Sequence, residues 1–458
     1  MSENKQGFQY FKQVAIGALS GAVLLALIIG GASLSGGTST QIGSQTDTPT
    51  ETQSASPSAS ATSARACSVA DLATDPLLGS LQAVVFNPAT EEILFDRGAT
   101  TPAATASTMK VLTAAAALAT LGPNYRIDTR VYTDPNNPGV VYLVGGGDPT
   151  LSRLGPGQQS VYKDAPKLST LASAVNSRLS GTPIKQIVVD SSLFTGATWE
   201  SSWERSEQTQ GYMSEVSALQ VDGDRDNPQQ ETSKRSTTPS KRAGAWFKKA
   251  LGAIASTATV IEGKTPASAT EIAKVQSAPI SNWITHMLQV SDNTQAEALA
   301  RLVALDQGYD GSFSSIDPAI KKALGVTGVD STGLVIKDGS GLSNFNAVPP
   351  LYLAKLFKVI MAGGNDFNWI MQGLPVAGES GSLAQRFKGD FVDANGHIAA
   401  KTGWIKRGYT LAGVITAKDS TKLTFAIYAL GNVSDSTKLA IDALATGFYR
   451  CGNQLSNQ

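Results

Sequence analysis

Histidine is nearly absent. The 458 residues contain two, His286 and His397, and neither has neighbours that recommend a Ser-His-Asp triad. A His/Cys zinc site would need more ligands than two histidines and two cysteines offer at these spacings, so no metal or other cofactor is expected. Net charge is absent as well. The 37 Lys and Arg balance 37 Asp and Glu, which leaves no electrostatic footprint for nucleic acid. The two cysteines, Cys67 and Cys451, lie near the two ends of the region expected to fold. In an exported chain such an isolated pair favours a disulfide, with two unrelated thiols as the alternative.

Charge is also missing from Val14 to Leu34, a mostly apolar run preceded by Lys5 and Lys12. About twenty such residues span a bilayer as a helix. The positive-inside rule puts residues 1–13 in the cytoplasm and everything after Leu34 outside, on a single-pass anchor in the cell membrane. A cleaved signal peptide is the alternative, since Gly30-Gly31-Ala32 offers small residues at cleavage positions, and it would make the protein secreted. Residues 35–66 are rich in Ser, Thr, Gln and Ala and have hardly any apolar bulk. They read as a flexible tether. At 458 residues and 41% hydrophobic content, the chain can hold two or three domains with real cores.

Three short motifs stand beyond the tether: Ser107-Thr108-Met109-Lys110, Ser291-Asp292-Asn293 and Lys401-Thr402-Gly403. In this order they read as the S-x-x-K, S-x-N and K-T-G set of penicillin-binding serine enzymes, in which lysine replaces histidine as the activating base. Ser-x-x-Lys also occurs at Ser2 and at Ser160, before the apolar run and in a Gly- and Pro-flanked loop, so no single motif suffices. The stretch Leu81 to Phe95 predicts two strands about an Asn87-Pro88 turn. The run Val111 to Leu121 predicts a buried helix that starts near Ala106 and ends before Gly122. Ser107 then sits in the first turn with Lys110 on the same face, beside free backbone N–H groups that favour an anion. A buried lysine with a neighbouring cation loses its proton more readily, and Lys401 is the expected cation. Ser291-Asp292-Asn293 breaks two helices, with Asp292 or Asn293 as cap. Lys401 opens a hairpin, Tyr409 to Thr416 and Leu423 to Leu430, whose edge suits an extended peptide. Between the first two motifs, residues 125–240 read as an inserted domain of mixed strands and helix, and Asp222 to Arg242 as a mobile surface loop. Thr437 to Tyr449 reads as a closing helix.

These motifs, with Val144 to Leu151, Asp338-Gly339-Ser340-Gly341-Leu342-Ser343 and Leu374-Pro375-Val376-Ala377-Gly378, make the chain resemble the class C low-molecular-mass penicillin-binding proteins, the D-alanyl-D-alanine carboxypeptidase/endopeptidase family. The resemblance implies an α/β (α+β) fold of the serine β-lactamase/transpeptidase type. Its antiparallel sheet, flanked by helices, would come from residues 67–124 and 241–458, with one inserted domain. It implies Ser107 as nucleophile, Lys110 as base, and Ser291 and Asn293 in the proton and hydrogen-bond network. Lys401 and Thr402 would meet the substrate carboxylate, Gly403 would permit close approach, and the backbone N–H groups of Ser107 and Trp404 would form the oxyanion hole. Trp404 stands where the family more often has Ser or Thr. Asn344 stands where it commonly has an arginine for a carboxylate on the diaminopimelate side chain, and Asp190 is expected to face that side chain's ammonium. Asn344 can pair with an amide but cannot form a charged fork, which points to an amidated side chain.

The reaction so implied is serine-type D-Ala-D-Ala carboxypeptidase action, and with it DD-endopeptidase action, on peptidoglycan stem peptides, with inhibition by β-lactams. A serine β-lactamase shares the three motifs, but no stretch obviously matches the glutamate-bearing loop of its class A, and the long insertion argues against that class. A wall-binding or β-lactam-sensing protein without catalysis is the other alternative, and the intact motif residues speak against it.

Overall fold

The computed structural model describes residues 65–457. The apolar run 14–34 and nearly all of the tether lie outside the described residues. In chain order the folded part opens with α1 (Ala70–Ala73), β1 (Ser80–Asn87) and β2 (Glu92–Arg97). A single 3-10 turn, Ala106–Thr108, runs into α2 (Met109–Leu121). Then follow β3 (Asp128–Thr133), β4 (Val140–Val144), α3 (Leu168–Leu179), β5 (Gln186–Asp190), α4 (Ser206–Gln210), α5 (Pro239–Leu251), β6 (Thr259–Glu262) and β7 (Thr270–Gln276). A helical stretch comes next: α6 (Ile280–Val290), α7 (Asn293–Asp306), α8 (Phe313–Leu324), α9 (Pro350–Ala362) and α10 (Asn368–Gly373). β8 (Ile398–Ile405), β9 (Gly408–Thr416), β10 (Lys422–Leu430) and α11 (Thr437–Cys451) close the chain.

One sheet has the order β2-β1-β10-β9-β8 and is antiparallel throughout. Its inner strands are apolar at nearly every position because both faces are covered. Side chains alternate across a strand, so Ala412 and Val414 face the core around α2, while Leu411 and Ile415 face the core around α11. β10 divides in the same way, Ala426 and Tyr428 to one side and Phe425 and Ile427 to the other. The α2 side is mostly helix against helix, with Trp283, Met287 and Leu299 packed beside Leu112.

The second sheet has the order β6-β5-β4-β3-β7. β4, β5 and β6 run parallel, and parallel neighbours need crossovers, here α3 and α5. Both helices contribute to a third core, through Leu171 and Phe247 against Val189. The sequence reading closed the insertion at residue 240. The sheet draws its last two strands from 259–276, because β3 takes β7 as its antiparallel partner and β5 takes β6. The stretch Asp222 to Arg242 is only partly a solvated loop. Asp222, Arg225 and Arg235 are buried, and Arg225 bridges Arg235 across a short antiparallel contact. Several of the charges read as exposure are paired instead: Asp222 with Arg153, Arg225 with Asp292 and Asp224 with Arg242.

Cys67 and Cys451 form a disulfide with Cα atoms 5.4 Å apart. It joins the segment before α1 to the end of α11.

Candidate active site

Ser107 occupies the 3-10 turn ahead of α2, and Ala106 before it has φ of 46°. Two glycines hold this turn. A Cβ on Gly403 would come within 2.8 Å of the Ser107 backbone nitrogen, and one on Gly341 within 1.8 Å of the Ala106 carbonyl oxygen. Only residues without a side chain let β8 and the 338–343 loop lie so close. Thr410 Oγ1 adds a hydrogen bond to the Thr105 carbonyl, 2.7 Å.

Lys110, one turn along, is fully buried. Its ammonium donates three hydrogen bonds: to Ser107 Oγ at 2.9 Å, Asn293 Oδ1 at 2.6 Å and the Ser340 carbonyl at 2.7 Å. All three donors are used, which fixes the nitrogen against the serine oxygen. Burial lowers the Lys110 pKa to about 8, against the opposing charges of Asp338, Glu297 and Asp292. Repulsion between the two lysines is mutual, and it adds to burial in holding Lys401 well below the ordinary lysine value. Lys401 donates to the Thr402 carbonyl at 2.8 Å.

Ser291 ends α6 in the left-handed region, φ 64°, and Asp292 caps α7 by accepting from the Gln295 N–H at 2.8 Å. The turn points Asn293 inward, where its Nδ2 donates to the Tyr212 carbonyl at 3.1 Å. The other Asp292 oxygen is 2.7 Å from Arg225 Nη2 and accepts from the Tyr162 hydroxyl at 3.1 Å. Burial acts to raise the Asp292 pKa, but Arg225 and then His286 hold it well below the usual carboxylate range. The inserted sheet's loops are thereby pinned to the second motif.

The outer edge of β8 is covered only as far as Ala400. Ala400 N–H donates to the Pro375 carbonyl, and Ala377 N–H donates to the Ile398 carbonyl. Antiparallel strands alternate the side to which their backbone groups point, so the N–H groups of Thr402 and Trp404 face the same edge beyond that cover. Ser382 meets Thr402 there, hydroxyl to hydroxyl at 2.7 Å. The cleft in front of this edge is about 550 Å³ and is lined by Ser107, Ser291, Asn293, Thr402, Gly403, Trp404 and Asn344, among others. Trp404 and Tyr212, both about half exposed, face each other with ring centroids 6.5 Å apart.

Asp190 is placed elsewhere. It does not line the cleft, and both its oxygens accept backbone N–H groups, from Ser192 at 3.0 Å and Thr265 at 2.7 Å. It ties the end of β5 to the segment after β6. Asn344 is exposed on the cleft wall. Sequence reasoning missed Glu297, one helical turn after Asn293. Fully buried, it accepts from the backbone N–H groups of Ser340, at 2.7 Å, and Gly339, at 3.2 Å, and so holds the carbonyl that Lys110 uses. Its spacing of four from Asn293 was the available signal. Asp338 fixes the same loop through the N–H groups of Gly341 and Ser343 and the Trp203 indole.

The family model for D-Ala-D-Ala carboxypeptidase 3 (S13) matches residues 65–235 and 224–448. A carboxypeptidase of Mycobacterium tuberculosis is 36% identical over 391 residues, 84% of this chain and 83% of its own. The carboxypeptidase DacB of Mycolicibacterium smegmatis is 34% identical, with 84% of each chain covered. Penicillin-binding protein 4 of Haemophilus influenzae shares the fold at a TM-score of 0.70 and 21% identity, over 82% of this chain and 97% of that one. With its three motifs gathered on one cleft and residues 65–448 matched by the family model, the chain belongs to the D-Ala-D-Ala carboxypeptidase 3 (S13) family, among the class C low-molecular-mass penicillin-binding proteins.

Proposed function

We infer that the protein is a serine-type D-Ala-D-Ala carboxypeptidase that works through an acyl-enzyme. The observation that carries this is the Lys110 ammonium 2.9 Å from Ser107 Oγ, held there by Asn293 and Ser340. Once Lys110 is neutral it accepts the Ser107 proton, and Oγ attacks the carbonyl of the penultimate D-alanine. The N–H groups of Ser107 and Trp404 stabilise the oxyanion. The C–N bond breaks as Ser291 relays a proton to the leaving amine, and water later hydrolyses the ester. Lys401 and Thr402 meet the terminal carboxylate, and the open edge of β8 aligns the peptide. The same acyl-enzyme serves DD-endopeptidase action on cross-links, which differs in the leaving group alone. The apolar run 14–34 supports an exported enzyme anchored in the cell membrane.

Covalent labelling of the full chain by a fluorescent penicillin tests the reading. Stable labelling that disappears in Ser107→Ala is the expected result. Absence of labelling in folded wild-type protein would overturn it, and rapid release of hydrolysed drug would favour a β-lactamase.

A further inference from the structure

Ser382 has no role in the chemistry above, yet its hydroxyl stands on the cleft. It belongs to a single 3-10 turn, Gly381–Leu383. Leu383 is buried in the core around α11, which anchors the turn. The chain just before it lies along β8, where Val376 bridges Ala399. On its other side the turn is pressed against the end of α6. A Cβ on Gly381, φ 53°, would come within 2.8 Å of the Gln289 carbonyl oxygen, so glycine is what permits the approach. Gln289 stands just ahead of Ser291. Ser382 is thus held where α6 leads into the second motif and β8 carries the third, although it belongs to neither.

Its Oγ is 2.7 Å from Thr402 Oγ1, and both residues line the cleft. Among the described residues neither hydroxyl makes another hydrogen bond. Each hydroxyl carries one proton, and its hydrogen rotates to suit the partner. Whichever of the two donates to the other, one proton is left without a protein acceptor. If a ligand accepts at this point, both can turn outward and offer two donors side by side. A carboxylate, which accepts at both oxygens, suits such a pair. Trp404, the next side chain of β8 on the same face, turns an indole to Tyr212 and brings no hydroxyl.

We propose that Ser382 is a specificity-determining residue: its hydroxyl, paired with that of Thr402, binds the terminal carboxylate of the substrate. The inference rests on the acyl-enzyme reading and adds to it a recognition group outside the three motifs. No step of the reaction changes. A hydrogen bond to a charged acceptor is stronger than one to a neutral acceptor, so the pair favours a free C-terminus over a blocked one. Its two hydroxyls are set in place before the ligand arrives, by the strand on one side and the anchored turn on the other.

The test uses the full chain and two activated substrates, an N-acyl-D-alanyl thioester of thioglycolate and its thioglycolamide counterpart. They differ only in the carboxylate of the leaving group. The quantity read is the ratio of their kcat/KM values, acid over amide. Ser382→Ala should lower this ratio about tenfold or more, the scale of one lost hydrogen bond to a charged group. Ser382→Thr keeps the hydroxyl and should keep the ratio near the wild-type value. Ser382 is exposed, so both variants should melt with the wild type. In a Thr402→Ala background, Ser382→Ala should lower the ratio again. No further fall there would show that Ser382 only orients Thr402, and would overturn direct binding. An unchanged ratio in the single variant, or a wild type that takes acid and amide alike, would overturn the proposal as well. Failure of wild type on both thioesters and on penicillin would instead overturn the acyl-enzyme reading beneath it.

Discussion

Two buried lysines share the site, and their surroundings separate them. Lys110 has three acceptors and three nearby carboxylates; Lys401 has one carbonyl and a cation. Lys110, titrating at about 8, holds its proton at neutral pH and must lose it to act. Acylation by penicillin should rise about tenfold per pH unit below pH 8 and level off above it, as the neutral form of a group titrating at about 8 accumulates. A stopped-flow rate profile from pH 6 to 9.5 checks this, and a flat profile would exclude Lys110 as the base. The lysine was legible in the sequence because Ser and Lys three apart share a helix face. The fate of Asp190 was not. What occupies it is the Thr265 N–H, far along the chain, and no local pattern reports that contact. Glu297 was hidden for a related reason, since its partners are backbone groups of a loop some forty residues later.

At the scale of elements, α2, β9, β10 and α11 follow from apolar patterning and breakers, as do the strands on either side of Asn87-Pro88. The stretch 222–242 does not. Its dense charge resembles a solvated loop unless the opposite charges are known to face one another, and Asp292, the partner of Arg225, belongs to another motif. That pair is buried on both sides, with 2% and 1% of the side chains exposed. Removing one member leaves the other uncompensated, at a cost of about 3–5 kcal/mol. Asp292→Ala should therefore lower unfolding stability by about that amount in denaturant titrations and also impair acylation, since Asn293 follows directly. An effect below about 1 kcal/mol would show that water replaces the pair. The insertion's true end was equally obscure, because β6 and β7 belong to it by pairing partner and not by any break in composition.

For the molecule as a whole, the two-sided sheet explains why the sequence is apolar at nearly every position over Leu411 to Ile415 and Leu423 to Leu430, and the disulfide closes the folded region on itself. A crosslink enclosing so long a loop restricts the unfolded chain, and its removal costs roughly 2–5 kcal/mol. The double variant Cys67→Ala/Cys451→Ala should melt several degrees lower while binding penicillin at nearly the same rate when cold, because neither sulfur touches the cleft. A melting temperature equal to wild type would show the bond to be dispensable.

The order of strands also has a consequence in time. Val84 of β1 pairs with Ala426 of β10, and Gly403 of β8 lies against Ser107. A chain made from its first residue onward holds the serine and Lys110 long before either the central partner of β1 or the edge strand of the cleft exists. Stalled or shortened products thus lack the surface on which the reaction takes place, and hydrolytic capacity arrives only once β8 and β10 have followed, some three hundred residues after the serine.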